Sequence, residues 1–277
     1  MRNNILDKDF RFNKKFGQNF IFDQNFLRSV VKDAEINNET DVLEIGAGAG
    51  TLTKVLGENA RKVVSYEIDT NLKQTLSENL KDSSNVEVIF KDIMKASIDE
   101  IEKNFQGDYV LIANLPYYIT TPIIFKFLEE ATRLTRLVIM VQLEVANRIC
   151  SKAGSSEYGA INPAIDYRGT AKIVRKVSRK MFMPMPNVDS AIVRIDIDKN
   201  KYKINDRKLL DNVIKSAFQM RRKTLQNNLK NNFSLSQAQL DEIYSKMNLV
   251  AGVRGETLTT GQFVELSNLL SELKNKG

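Results

Sequence analysis

The stretch Val42-Leu43-Glu44-Ile45-Gly46-Ala47-Gly48-Ala49-Gly50 decides the fold. A run rich in strand formers passes directly into three glycines at alternate positions, and helix-compatible residues resume at Thr51. A buried strand enters a helix in this way when the turn between them must come close to a ligand, because glycine has no Cβ to stand in the way. Dinucleotide-binding folds use G-x-G-x-x-G and lay a pyrophosphate on the helix N-terminus. Here Thr51 stands where that motif has its third glycine.

Outward from this turn, the sequence between about Asp41 and Asp198 alternates short β-rich runs with helical periodicity, the pattern of an α/β domain on a mostly parallel sheet. Strands are expected at Asp41 to Ile45, Lys62 to Glu67, Val86 to Phe90, Tyr109 to Ala113, Arg136 to Gln142, Lys172 to Val177 and Ala191 to Ile197. Helices are expected at Thr51 to Asn59, Thr70 to Leu80 and Pro122 to Ala131. The last two strands enclose a loop with Pro184 and Pro186 rather than a long helix, so an antiparallel pair at one edge makes the sheet mixed. After about Lys201 strand signals stop. Apolar residues from Leu210 to Leu229 recur at three- and four-residue steps in a single stripe with a basic end, and further helices are expected at Ser236 to Met247 and Thr260 to Leu273. Two domains follow: 1–200, α/β with a mixed, mostly parallel sheet, and 201–277, small and all-α.

Composition removes several chemistries. None of the 277 residues is histidine, which excludes Ser-His-Asp and Cys-His pairs and every His-ligated metal. The one cysteine, Cys150, allows neither an intrachain disulfide nor a Cys-based zinc cluster, and its helical setting reads as a small buried hydrophobe. No metal is expected. No apolar run has the length that spans a bilayer, and Met1 to Lys15 lacks the apolar core of a secretory signal, so a soluble protein with no membrane partner is expected; with a single cysteine the cytoplasm is the expected location, and a monomer is expected. The formal charge of +7 is uneven. Arg168 to Lys230 holds 17 Lys/Arg against 5 acids, a surplus of +12, which leaves −5 for the rest. Such a cluster points to a polyanion, with nucleic acid favoured over a merely solvated surface.

The glycine turn in its G-x-G-x-G form resembles the first motif of class I methyltransferases, whose cofactor carries a sulfonium and an amino acid instead of a phosphate. Glu44, an acid beside that loop, suits a cation. Glu67 lies 21 positions past Gly46 at the end of the next strand, where a carboxylate can accept from both hydroxyls of a ribose; NAD would use the same acid. Asp92, after the strand ending at Phe90, can accept from an adenine amine while Ile93 packs on the ring. The tetrapeptide Asn114-Leu115-Pro116-Tyr117 follows the fourth strand. Adenine's amine is a poor nucleophile because its lone pair is delocalised into the ring. Two acceptors, the Asn114 side-chain oxygen and the Leu115 carbonyl, can hold both amine protons and favour the pyramidal form. Pro116 fixes the turn and Tyr117 offers a flat face to a purine. No basic side chain is needed, as befits a chain without histidine. Phe182, in Phe182-Met183-Pro184-Met185-Pro186, reads equally as a second face for the base or as core.

With these motifs in place the chain resembles the ribosomal RNA adenine dimethyltransferases nearly end to end. The resemblance is carried by Phe16-Gly17-Gln18-Asn19-Phe20 with Asp23, by Glu44-Ile45-Gly46-Ala47-Gly48, Glu67, Asp92 and Asn114-Leu115-Pro116-Tyr117, and by Phe182 to Pro186 with Val188-Asp189-Ser190. In the tail it is carried by Ala217-Phe218, Arg221-Arg222-Lys223-Thr224-Leu225 and Arg254-Gly255-Glu256-Thr257-Leu258. Departures are Ala47, where proline is common, and Ala160-Ile161-Asn162 in place of a more usual Leu-Ser-Val. The resemblance implies S-adenosylmethionine as cofactor, held by Asn19, Ile21, Gly46, Gly48, Glu67, Asp92 and Asn114. It implies Tyr117 and Phe182 on either side of the target base, and RNA docking through Arg221, Arg222 and Lys223. It further implies the small-subunit branch, which dimethylates two neighbouring adenosines near the 3′ end of 16S rRNA, as naked RNA or in a partly assembled subunit. The large-subunit, macrolide-resistance branch and a non-catalytic assembly factor on the same fold are the alternatives.

Overall fold

The computed structural model describes residues 19–114, 119–220 and 222–276. One compact unit comprises the chain up to Ala146 together with Lys172–Ile197; the other comprises Asn147–Ala171 and the chain from Asp198. The first contains β1 (Phe20–Ile21), α1 (Gln24–Asp33), β2 (Asp41–Ile45), α2 (Thr51–Gly57), β3 (Lys62–Glu67), α3 (Lys73–Asn79), β4 (Val86–Phe90), α4 (Ile98–Glu102), β5 (Tyr109–Asn114), α5 (Thr120–Glu130) and β6 (Leu134–Gln142). Next come α6 (Leu143–Ile149), α7 (Ile161–Asp166), β7 (Gly169–Val177), β8 (Phe182–Met183) and β9 (Ser190–Ile197). The chain ends with α8 (Arg207–Gln219), α9 (Leu225–Phe233), α10 (Gln237–Lys246) and α11 (Thr260–Lys276).

The seven-stranded sheet has the order β4-β3-β2-β5-β6-β9-β7. β2 pairs in parallel with β3 and β5, β3 with β4, and β5 with β6, whereas β9 runs antiparallel to β6. Five strands thus run parallel and β9 runs against them, which makes the sheet mixed and mostly parallel. β2 is buried at every residue, which suits a central strand covered on both faces. After β4 the chain crosses back to the other side of β2 to build β5 and β6. The crevice for a ligand opens at such a reversal, beyond the carboxyl ends of the strands. Register aligns these ends: Ile45 pairs with Tyr66 on one side and Ala113 on the other. Gly46, Glu67 and Asn114 are each the next residue, so they form one row.

α1 buries Leu27, Val30 and Val31 at helical spacing and starts where Asp23 accepts from the Phe26 amide at 2.9 Å. It contributes to a core shared with α2 and the sheet, including Val55, Leu56, Val63 and Ile112. The helical unit has its own core, in which α8 supplies Leu209, Leu210, Val213 and Ile214 and α11 supplies Phe263, Leu266 and Leu270. A capping box starts α10, with Ser236 and Gln239 bonded to each other's backbone amides.

Two expectations change. The stripe from Leu210 to Leu229 is two helices, α8 and α9, so Arg222 and Lys223 stand exposed in the turn between them; Arg221 lies outside the described residues. The stripe continues because both helices face one core. The break comes from Thr224, which caps α9 by accepting from the Asn227 amide, and from buried Asn228, whose Nδ2 donates to the carbonyls of Ala217 at 3.1 Å and Met220 at 3.4 Å. The second change concerns Asn147–Ala171, which groups with the helices rather than with the residues before a boundary at 200. Buried Arg168 needs a counter-charge and finds it in Asp211 of α8 at 2.8 Å; the Tyr167 hydroxyl donates to the same carboxylate at 2.6 Å, and the Tyr158 hydroxyl to the Leu258 carbonyl at 3.1 Å. No helix among the described residues is long and apolar enough to cross a membrane.

Candidate active site

The row at the strand ends borders a cavity, and Asn19, Ile21, Gly46, Gly48, Glu67, Asp92, Asn114 and Phe182 all line it. Leu115, Pro116 and Tyr117 lie outside the described residues.

The glycine turn is shaped for close approach. Gly46 and Gly48 have φ of +87° and +56°, and a Cβ on Gly48 would lie 2.6 Å from the Phe20 ring. An alanine there is therefore both strained and obstructed. The Gly48 amide donates to Glu67 Oε2 at 2.8 Å, and the Asp69 amide donates to Oε1 at 2.8 Å. Backbone amides thus fix the side chain, and its carboxylate borders the cavity, where it can accept from a ligand. Burial raises the Glu67 pKa, against the backbone amides that favour the ionised form. Asp92 Oδ1 accepts from the Met94 amide at 2.9 Å, an Asx turn that orients the group, and its other oxygen has no hydrogen bond among the described residues.

Asn114 Nδ2 donates to the Asn19 carbonyl at 3.1 Å. A carbonyl is only an acceptor, so the amide NH2 must face it, and Oδ1, which carries no hydrogen bond among the described residues, is left as the acceptor. Asn19 belongs to a strap over the cavity. β1 pairs antiparallel with β8, Phe20 opposite Met183 and Ile21 opposite Phe182, and the Thr51 hydroxyl donates to the Ile21 carbonyl at 3.0 Å. Phe182 is buried in the core of this unit and also lines the cavity, so the two roles read from the sequence are compatible.

Glu44 does not behave as the acid of a cation site. It is absent from the cavity wall because strand residues alternate in direction, and Ile45 takes the inner position. Its Oε2 instead accepts from the hydroxyls of Thr53 at 2.6 Å and Ser65 at 2.7 Å, while Oε1 is buried with no hydrogen bond among the described residues. Burial pushes its pKa up to about 7. Conversely, sequence reasoning passed over Phe20, which roofs the glycine turn, and Ile68, an exposed apolar residue on the cavity wall. The position of Ile68, directly after the acid at a strand end, was the available signal.

A model of the family described as ribosomal RNA adenine dimethylase matches residues 9–272. The chain belongs to this family. Among curated relatives, the ribosomal RNA small subunit methyltransferase A of Clostridioides difficile is 42% identical over 266 residues, covering 95% of this chain and 92% of its own. The protein of the same name from Bacillus mycoides is 44% identical over 274 residues, with 96% and 94% covered. Among solved structures, a dimethyladenosine transferase from Plasmodium falciparum superposes with a TM-score of 0.78 at 26% identity, over 93% of this chain and 98% of the other. The 23S rRNA methyltransferase ErmE gives 0.68 at 25% identity, over 91% and 99%. As a member of the adenine dimethylase family the chain is an rRNA-modifying methyltransferase on a class I fold, and the row of Gly46, Glu67 and Asn114 is its candidate site.

Proposed function

We propose that this chain uses S-adenosylmethionine to dimethylate the 6-amino groups of two adjacent adenosines near the 3′ end of 16S rRNA, the substrate being the RNA itself or a partly assembled small subunit. The observation that carries the reading is the orientation of Asn114, whose NH2 is committed to Asn19 and whose Oδ1 remains to accept from an exocyclic amine. The curated relatives named as small subunit methyltransferases favour this branch over the large-subunit one.

The residues present fit the cofactor. A ribose diol matches the cavity-facing carboxylate of Glu67, the Asp92 oxygen with no hydrogen bond among the described residues suits an adenine amine, and Gly46 and Gly48 line the cavity where the amino acid portion would lie. When bound, S-adenosylmethionine supplies a methyl group on a cationic sulfur. The chain's own part is to receive an adenine taken out of its stack. Asn114 Oδ1 and the Leu115 carbonyl accept its two amine protons, so that the nitrogen lone pair leaves the ring and points along the line of transfer, with Phe182 and Tyr117 on either side of the base. The proton released afterwards passes to water. Alignment and fixed hydrogen-bond acceptors supply the rate. Arg222 and Lys223, in the turn before α9, contact RNA phosphates together with Arg221.

The test is methyl transfer to small subunits lacking the modification, with wild-type protein and Asn114→Ala. The expected outcome is transfer by wild type to the adjacent adenosines and its loss in the variant even at S-adenosylmethionine concentrations that equilibrium dialysis shows to be saturating for that variant. Unchanged transfer by Asn114→Ala would remove the assignment.

A further inference from the structure

Six large apolar side chains stand exposed among the described residues, and three of them, Met183, Met185 and Val188, fall within one six-residue window. Their exposures are 39%, 58% and 41%. This loop leaves the cavity wall at Phe182 and returns to it at Ser190, so it forms part of the cavity rim. Its conformation is tied down. Two prolines restrict its backbone. Asp189 Oδ1 accepts from the Arg179 amide at 2.9 Å, the Arg179 guanidinium donates to the Asn187 carbonyl at 3.1 Å, and the Asp189 carbonyl accepts from the Leu143 amide at 3.0 Å. Three apolar side chains held outward by such a frame do not arise from a loop collapsing on itself.

The occupant is indicated by what surrounds the patch. Arg179 and Lys180, both exposed, precede it, and the one acid of the loop is engaged with the Arg179 amide. An apolar face with a cationic flank at the rim of a base pocket suits nucleic acid, because methionine and proline side chains fill the gap left between unstacked bases. We infer that Met183, Met185 and Val188 form a wedge on which the nucleobase next to the extruded adenosine stacks, so that one adenosine of the adjacent pair rests there while the other is methylated. This rests on the reading given under Proposed function. It assigns to the loop the task of holding the second substrate base in place between the two rounds of reaction.

The experiment compares wild type, Met185→Ser/Val188→Ser and Met185→Leu/Val188→Leu on unmethylated small subunits, mapping methyl groups on each adenosine over time. S-adenosylmethionine affinity, measured by dialysis, reports on the integrity of the cavity. The serine variant is expected to bind cofactor as wild type does and to modify the second adenosine roughly tenfold more slowly than the first, the size of one lost stacking contact. The leucine variant is expected to restore the wild-type pattern. A serine variant that modifies both adenosines at wild-type rates overturns the wedge while leaving the parent reading intact. A serine variant slowed equally on both adenosines also overturns it, because the face would then serve general docking, to RNA or to a ribosomal protein. Wild-type protein that fails to methylate these subunits overturns both.

Discussion

The side chain of Asn114 and the backbone carbonyl of Asn19, 95 positions apart, meet at 3.1 Å, and this one bond determines which end of the Asn114 amide faces an incoming base. An aspartate at 114 would keep an acceptor but set a second oxygen against the Asn19 carbonyl. Asn114→Asp is therefore expected to lose catalysis and to push the strap away, whereas Asn114→Ala loses catalysis and gives up the tie to Asn19 without adding a repulsion. The loss of rate in Asn114→Ala should be about 10²–10³-fold, the usual consequence of removing one preorganised hydrogen bond to a reacting group. Single-turnover methyl transfer measures the rate, and dialysis separates it from cofactor affinity.

Thr51 gives the strap a second tie. Its hydroxyl holds the Ile21 carbonyl at 3.0 Å, at the position where a dinucleotide fold has a glycine. One hydrogen bond of this kind contributes about 0.5–1.5 kcal/mol. Thr51→Val, which keeps the shape and removes the donor, should raise the dissociation constant of S-adenosylmethionine by roughly two- to tenfold, and Thr51→Ser should restore it. Equal affinities in calorimetry for all three proteins would show that the strap does not depend on this bond.

The contrast between these ties and the glycine turn explains how much could be read in advance. Strands β2, β3 and β4 were legible to the residue because each is a continuous β-forming run bounded by turn residues. Gly46, Glu67, Asp92 and Asn114 followed from their positions at consecutive strand ends. Asn19 and Ile21 entered only through family resemblance, since β1 and β8 are two-residue strands whose pairing joins positions some 160 residues apart, and no local pattern encodes it. Thr51 against Ile21 and Asn228 against Ala217 are likewise long-range contacts made by ordinary polar residues. Glu44 was misread for a different reason: it has the right composition and neighbourhood for a cation site but lies on the wrong side of its strand.

Glu44 makes stability depend on pH. Its folded-state pKa of about 7 exceeds the ordinary 4.5, because burial penalises the charge more than the Thr53 and Ser65 hydroxyls relieve it. The folded protein therefore binds more protons than the unfolded chain between those values, and stability contributed by the protonated group is present below pH 4.5 and lost as pH rises through 7. The full loss is about 3 kcal/mol, from 1.36 kcal/mol per pKa unit. Glu44→Gln cannot ionise and should show a flatter stability curve, so that the variant gains on wild type as pH is raised from 5 to 8. Urea unfolding of both proteins across this range is the measurement, and parallel curves would count against a protonated Glu44.

The turn between α8 and α9 gives an electrostatic prediction with a built-in structural control. Arg222 and Lys223 are exposed there, and Asn228 ties the turn by capping the last carbonyls of α8. Each cation that neutralises a phosphate releases counterions, so the dependence of log K on log salt loses about 0.7–0.9 for each contact removed. Replacing Arg221, Arg222 and Lys223 together by glutamine should therefore weaken RNA binding and reduce that slope by roughly two to three. Asn228→Asp keeps all three charges but places an acceptor against the carbonyls of Ala217 and Met220, so it should weaken binding by displacing the turn while S-adenosylmethionine affinity is unchanged. A triple variant whose salt slope equals that of wild type would mean that these cations only face solvent and that RNA is held elsewhere on the basic segment.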